Sequence, residues 1–304
     1  MDKSEILSLI KLIDDPDEEI FEIVRNKILE TPHYFKKHLE DYYIFCKNKN
    51  VKDRLSGLLN EINLNNFLFD LTCYFKDAKR TLFDGVLLLE QYFDKDADID
   101  KIRLEFDNLT KRIWIKNKNN STLETLYTIC RTLFEDEGYT YDTENKKSNK
   151  NNKDIYSLEH ILHTKEIEVL NSYLFFLLLT ERFKIPLVPF YHNPIIPLFF
   201  AYYADKKDIK YNSYENVKFF VSPQYSERTL NIISVEDVLT SISKSSANIQ
   251  KHSAIKSYDY FLYTHFHFRF MHNALNEINK VNNCANLLDL PQVDAVFKKF
   301  RVDK

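Results

Sequence analysis

Residues 168–203 read EVLNSYLFFLLLTERFKIPLVPFYHNPIIPLFFAYY. Over 168–185 apolar side chains fall on nearly every side of a helical period, which predicts a helix at the buried centre of a domain. Prolines at 186, 189, 194 and 197 then exclude a membrane-spanning helix, because each removes a backbone donor. Between them the residues are β-branched or aromatic. Two strands, 187–191 and 198–204, joined by the turn HNPI, follow from that pattern. VKFFVSP (217–223) and RTLNIIS (228–234) add two more, completing a small antiparallel sheet of about four strands.

Before residue 140 the chain reads as a row of helices. Ile6, Leu9, Ile10 and Ile13 make one apolar stripe at i, i+3, i+4, i+7. In DDPDEEIFEIVRNKIL, Asp15 fits an N-cap, Pro16 the first helical position and Glu18 a capping box. Thr31 and Pro32 open a third helix in the same way. Further helices are predicted at 51–62, 66–78, 81–93, 99–113 and 121–136. TENKKSNKNNKD (143–154) reads as a polar surface loop. A short helix in IYSLEHILHT precedes the buried one. The last seventy residues return to helix at 235–243, about 254–280 and 291–300. The class is α+β, predominantly α-helical, with segregated layers.

Composition narrows the function. Only three glycines, Gly57, Gly85 and Gly138, occur in 304 residues, and no Gly-rich nucleotide motif exists. Net charge is −3 with a pI near 6.3, which provides no general drive toward nucleic acid or an acidic membrane surface. Cys46, Cys73, Cys130 and Cys284 form no C-x-x-C pair, which argues against zinc. The opening MDKSEILSLIKLIDD reads as a helix start and not a signal peptide, so a cytoplasmic chain with reduced cysteines is expected. No cofactor is called for.

Taken together, LSLIKLIDDPDEEIFEIVRNKIL, TLFDGVLLLEQYFDKDADIDKIRLEFDNLTKRI, LETLYTICRTLFEDEGY, SYLFFLLLTERFKIPLV and FFVSPQYSERTLNIISVEDVL resemble the SirB-type, transglutaminase-like proteins of bacteria. The resemblance covers nearly the whole chain. It implies a helical N-terminal domain (1–118), a transglutaminase-like core (119–236) and a C-terminal helical, tetratricopeptide-like extension (237–304). It also implies a papain-type site where the core is active: a Cys at the start of the buried helix, a His on the next strand and an Asp on the strand after. Those positions fall on Val169, Pro197 and Ser222, none of which can do the corresponding chemistry.

The remaining candidates are few. His192 stands at the turn of the first strand pair, where a displaced base or a turn histidine are the two readings. Cys130, among Leu126, Ile129 and Leu133, reads as a small buried hydrophobe. His160 and His163 share a helix face at i, i+3, with Glu159 and Glu166 near in sequence. His265, His267 and His272 lie in THFHFRFMH, where a helix would bring His265 and His272 to one face. These histidines are weak metal candidates. A non-catalytic scaffold that binds an unknown protein or itself is therefore expected, with no nucleic acid and no membrane. The alternative is a cysteine- or metal-dependent hydrolase with a relocated site.

Overall fold

A computed structural model describes residues 3–118, 121–141, 157–167, 169–191, 197–211, 213–224, 229–244, 254–266, 269 and 291–300. It is a mostly helical α+β protein with one small antiparallel sheet. The chain divides into two compact units, Met1–Lys76 and Asp77–Lys304. That division matches neither of the expected boundaries, 118 and 236. The helices between 81 and 116 instead pack onto the buried helix of the second unit.

The first unit contains α1 (Lys3–Lys11), a 3-10 turn (Leu12–Asp14), α2 (Glu18–Glu30), α3 (Pro32–Phe45) and α4 (Lys49–Lys76). The stripe of α1 closes on Phe21, Val24 and Ile28 of α2, Phe35 and Leu39 of α3, and Val51, Leu55, Leu58 and Ile62 of α4. Fully buried side chains such as Phe35 and Leu39 contribute about 1.5–3 kcal/mol each by leaving water. Arg54 ties α4 to the connection before α2. Its Nη1 donates to the carbonyls of Ile13 (3.0 Å) and Asp15 (2.6 Å), its Nη2 donates to Glu18, and its guanidinium lies over the Phe21 ring.

Two local expectations change here. Asp17, not Asp15, caps α2 by accepting from Glu19 N, while Asp15 accepts from Asp17 N in the preceding turn. The predicted helices 51–62 and 66–78 are one helix of 28 residues. The five-residue step from Ile62 to Phe67 shifts the apolar stripe, which imitates a break. Asn63, Asn65 and Asn66 are only mildly unfavourable in a helix, with no Gly or Pro to end it.

The second unit opens with α5 (Leu82–Phe93), α6 (Ile99–Lys116) and α7 (Thr122–Arg131), the last widening into a π-turn over Thr132–Asp136. Thr81, Asp98 and Ser121 cap the three helices through their side chains. Two short parallel strands, β1 (Thr140–Tyr141) and β2 (Glu166–Ile167), flank α8 (Leu158–Thr164). The buried helix is α9 (Val169–Arg182), with Leu174 through Thr180 all buried. At its end Glu181 accepts from Leu82 N (2.8 Å) and Phe83 N (3.2 Å), engaging two of the orphan donors that open α5. Burial pushes the Glu181 carboxyl up and these two N–H bonds oppose the shift.

The sheet has the order β6-β5-β4-β3-β7 and is antiparallel throughout. Its strands are β3 (Leu187–Tyr191), β4 (Pro197–Tyr203), β5 (Val217–Gln224), β6 (Thr229–Ile233) and β7 (Ala254–Ile255). The first four lie within a residue or two of the stretches read from the sequence. β7 is a correction: residues 254–255 were expected to start a helix. Ile255 pairs with Phe190, and Lys256 N donates to the Pro189 carbonyl (2.9 Å). Pro189 is tolerated inside the sheet because it faces this short partner, where its carbonyl accepts from Lys256 N, and not β4.

α10 (Val235–Lys244) covers one sheet face, where Val238 packs with Val188, Phe190, Ala201, Tyr203 and Phe220. α9 and the start of α7 cover the other, through Phe200 and Tyr202. α11 (258–266, with 269 also helical) follows β7, and α12 (Pro291–Phe300) sets Phe297 against Tyr263 and Phe266. Within the stretch 237–304, α10 packs on β5 and β7 pairs with β3.

Glu90 of α5 and Arg269 meet with relative exposures of 1% and 0%. Arg269 Nη1 donates to Glu90 Oε1 at 2.8 Å, and Leu158 N at the start of α8 donates to the same oxygen at 2.8 Å. The guanidinium also stacks over Phe93. Removing one partner leaves a buried charge uncompensated, so Glu90→Gln and Arg269→Met should each destabilise the protein by ~3–5 kcal/mol. In a double-mutant cycle followed by urea unfolding, the pair should cost less than the sum of the singles. Additive costs would show that the two do not act together.

Candidate functional site

The resemblance directs attention first to the seam between α9 and the sheet. Val169 is the first residue of α9, Pro197 the first of β4, and Ser222 lies in β5. α9 turns into β3 through residues 183–186, so its start, the start of β4 and the end of β5 lie toward one end of this layer. The register separates them by face. Ser222 is buried opposite Asn231 and follows Phe220 at i+2, which places it on the α10 side, away from α9. On the α9 side the seam is filled by rings. Tyr173 and Phe176 lie 5.8 and 5.6 Å from Phe200, and Phe176 and Phe200 are fully buried. His192 lies outside the described residues.

The histidines do not converge where described. On α8, His160 is half-buried and His163 exposed, with Glu166 in β2. His265 is buried in α11, while His267 and His272 lie outside the described residues. Among the described residues no group of three His, Cys, Asp or Glu side chains is placed to hold a metal ion.

The cysteines are equally dispersed. Cys130 is buried on α7, and desolvation pushes its thiol up to about 12, so the thiolate is scarce at neutral pH. Cys46 Sγ contacts the Asn48 carbonyl, and Cys73 is exposed on α4. No hydrogen bond joins a cysteine to a histidine among the described residues.

Described residues of the second unit line at least two open clefts. The larger, about 460 Å³, lies between the end of α6, the exposed face of α7 and Thr229 of β6. Lys116, Lys118, Tyr127 and Arg131 line it, with Glu124 and Glu135 among the acidic groups. The smaller, about 240 Å³, is bordered by Arg112, Tyr139, His163 and Lys165. Behind it Glu137 binds Arg112 through Nε and Nη2 (3.0 Å for the latter). Lys165 Nζ donates to the Glu137 carbonyl at 2.6 Å. Arg112 holds the Glu137 carboxyl below its ordinary value, against the opposing effect of burial, with Lys165 adding to the shift. Gly138 and Lys165 both take positive φ at this junction. The convergence of Arg112, Glu137 and Lys165 was not legible in the sequence, because 25 or more residues separate Glu137 from each partner.

No family model, no curated protein and no solved structure matches this chain.

Two measurements probe these sites. Glu137 has a lowered folded pKa, so its contribution is present above the unfolded carboxylate value and fades as pH falls through the folded one. The stability difference between the natural chain and Glu137→Gln should therefore be largest above about pH 4.5 and shrink on acidification. A difference independent of pH would remove the network as its cause. For the cysteines, brief iodoacetamide treatment at pH 7.5 followed by peptide mass mapping should label Cys73 and leave Cys130 unmodified until the protein is unfolded. Rapid labelling of Cys130 would show that its helix opens.

Proposed function

We propose that this protein is a non-catalytic, transglutaminase-like scaffold of the SirB type, acting in the cytoplasm by binding another protein or itself. The observation that supports this most is the aromatic seam of Tyr173, Phe176 and Phe200. It occupies the face of the sheet that a papain-type nucleophile at the start of α9 would need to address. Val169, Pro197 and Ser222 have no nucleophile, base or carboxylate to offer there. The buried, weakly acidic Cys130 thiol favours this reading over a relocated cysteine hydrolase. Among the described residues no helix is long and apolar enough to cross a membrane. A negative net charge fits a protein partner better than nucleic acid.

The test is a direct search for turnover. The purified chain should incorporate no amine into a glutamine-donor protein and cleave no fluorogenic peptide pool above a buffer control. Turnover that is blocked by iodoacetamide and lost in a Cys46→Ser, Cys73→Ser or Cys130→Ser variant would overturn the proposal and establish the hydrolase reading.

A further inference from the structure

We infer that the outer face of α3 is a self-association surface, on which two copies of this chain pair their α3 helices antiparallel about a twofold axis. This rests on the reading of the chain as a protein that binds another protein or itself, and it assigns both the partner and the surface.

Three observations carry it. First, α3 buries one side and leaves large apolar groups on the other. Phe35 and Leu39 are fully buried in the core of the first unit. Tyr34, Ile44 and Phe45 are 43%, 67% and 79% exposed, and Phe45 is the most exposed large hydrophobic among the described residues. Second, the outer residues form one row. Tyr34, Lys37, Asp41 and Ile44, with Phe45 beside it, follow i, i+3, i+7, i+10 and i+11, which is a single face of a helix. Lys37 and Asp41 are exposed, and neither forms an ion pair among the described residues. Third, the row is complementary to its own reverse. It runs apolar, positive, negative, apolar.

That order selects a second copy as the occupant. Laid antiparallel with the axis beside Leu39, Tyr34 meets the partner's Ile44 and the partner's Phe45, while Lys37 meets the partner's Asp41. The twofold makes each contact twice, as an isologous interface requires. An unlike partner has no need of a row that complements itself. Net charge does not oppose the pairing. The charged residues of α3 are Lys36, Lys37, Glu40 and Asp41, which sum to zero, so two copies bring no net repulsion to the face. The helix has 14 residues and is about 21 Å long. A surface of that length is small beside the ~1,200–2,000 Å² of stable interfaces, so the dimer is weak and depends on concentration.

The experiment is sedimentation velocity on the full chain from about 1 μM to about 1 mM. The natural chain should pass from monomer to dimer across that range. Phe45→Ala, Lys37→Glu and Asp41→Lys should each weaken the dimer about tenfold. All three positions are exposed, so circular dichroism should show the fold unchanged. Leu104→Ala, an exposed change on α6, should leave association unaltered. The deciding arm mixes the Lys37→Glu and Asp41→Lys chains in equal amounts. Opposite charges then face each other at both pairs across the axis, and dimer should return to near its natural level. An effect confined to one chain would not be rescued by mixing. A chain that stays monomeric throughout, a dimer indifferent to the three variants, or a mixture without rescue would each overturn the pairing. Each of those outcomes leaves the interaction reading standing, because that reading falls only with the turnover assay above.

Discussion

The carboxylate of Glu90 is the point from which the second unit is organised. It accepts from Arg269, beyond the 258–266 stretch of α11, and from Leu158 N at the head of α8, all within a site closed to water. Three segments separated by more than sixty residues are fixed by one side chain. Such a pair adds little net stability over an apolar replacement. It does penalise heavily any arrangement that separates the partners. The ring of Phe93 lies against the Arg269 guanidinium and packs in turn on Phe266, with centroids 5.6 Å apart. Glu181 does related work on the other side of α5, satisfying its first donors from the end of α9. Both acids act by meeting backbone or charge that burial has left without solvent.

The sheet depends on that frame because its strands are held by helices on both faces. α9 presents rings to one face and α10 presents aliphatic side chains to the other. Tyr173 and Phe176 of α9 meet Phe200 of β4 and close the seam between that helix and the sheet. Described residues of α6, α7 and α8 border open clefts away from that seam.

Much of the fold was legible locally. The buried helix, the two strands around HNPI and the pair 217–224 and 229–233 follow from hydrophobic period and proline placement. Both are short-range properties that tertiary packing here reinforces. The failures have physical causes. Asp15 and Asp17 are both plausible caps, and the choice depended on where Arg54 draws the preceding carbonyls. The stripe shift after Ile62 looked like a break because period alone cannot distinguish a helix that changes the surface it faces. β7 is two residues long, too short for any period, and exists because β3 had an edge to complete.

The site divides in the same way. From the sequence by itself came the lack of a Gly-rich nucleotide loop and the lack of a C-x-x-C spacing. Each is a matter of residue identity, which no folding can alter. Only the tertiary structure decided that Ser222 faces α10, that Arg112 and Lys165 converge on Glu137, and that Glu90 and Arg269 share a closed site. Those are distances between residues far apart in the chain, and residue identity alone does not contain them.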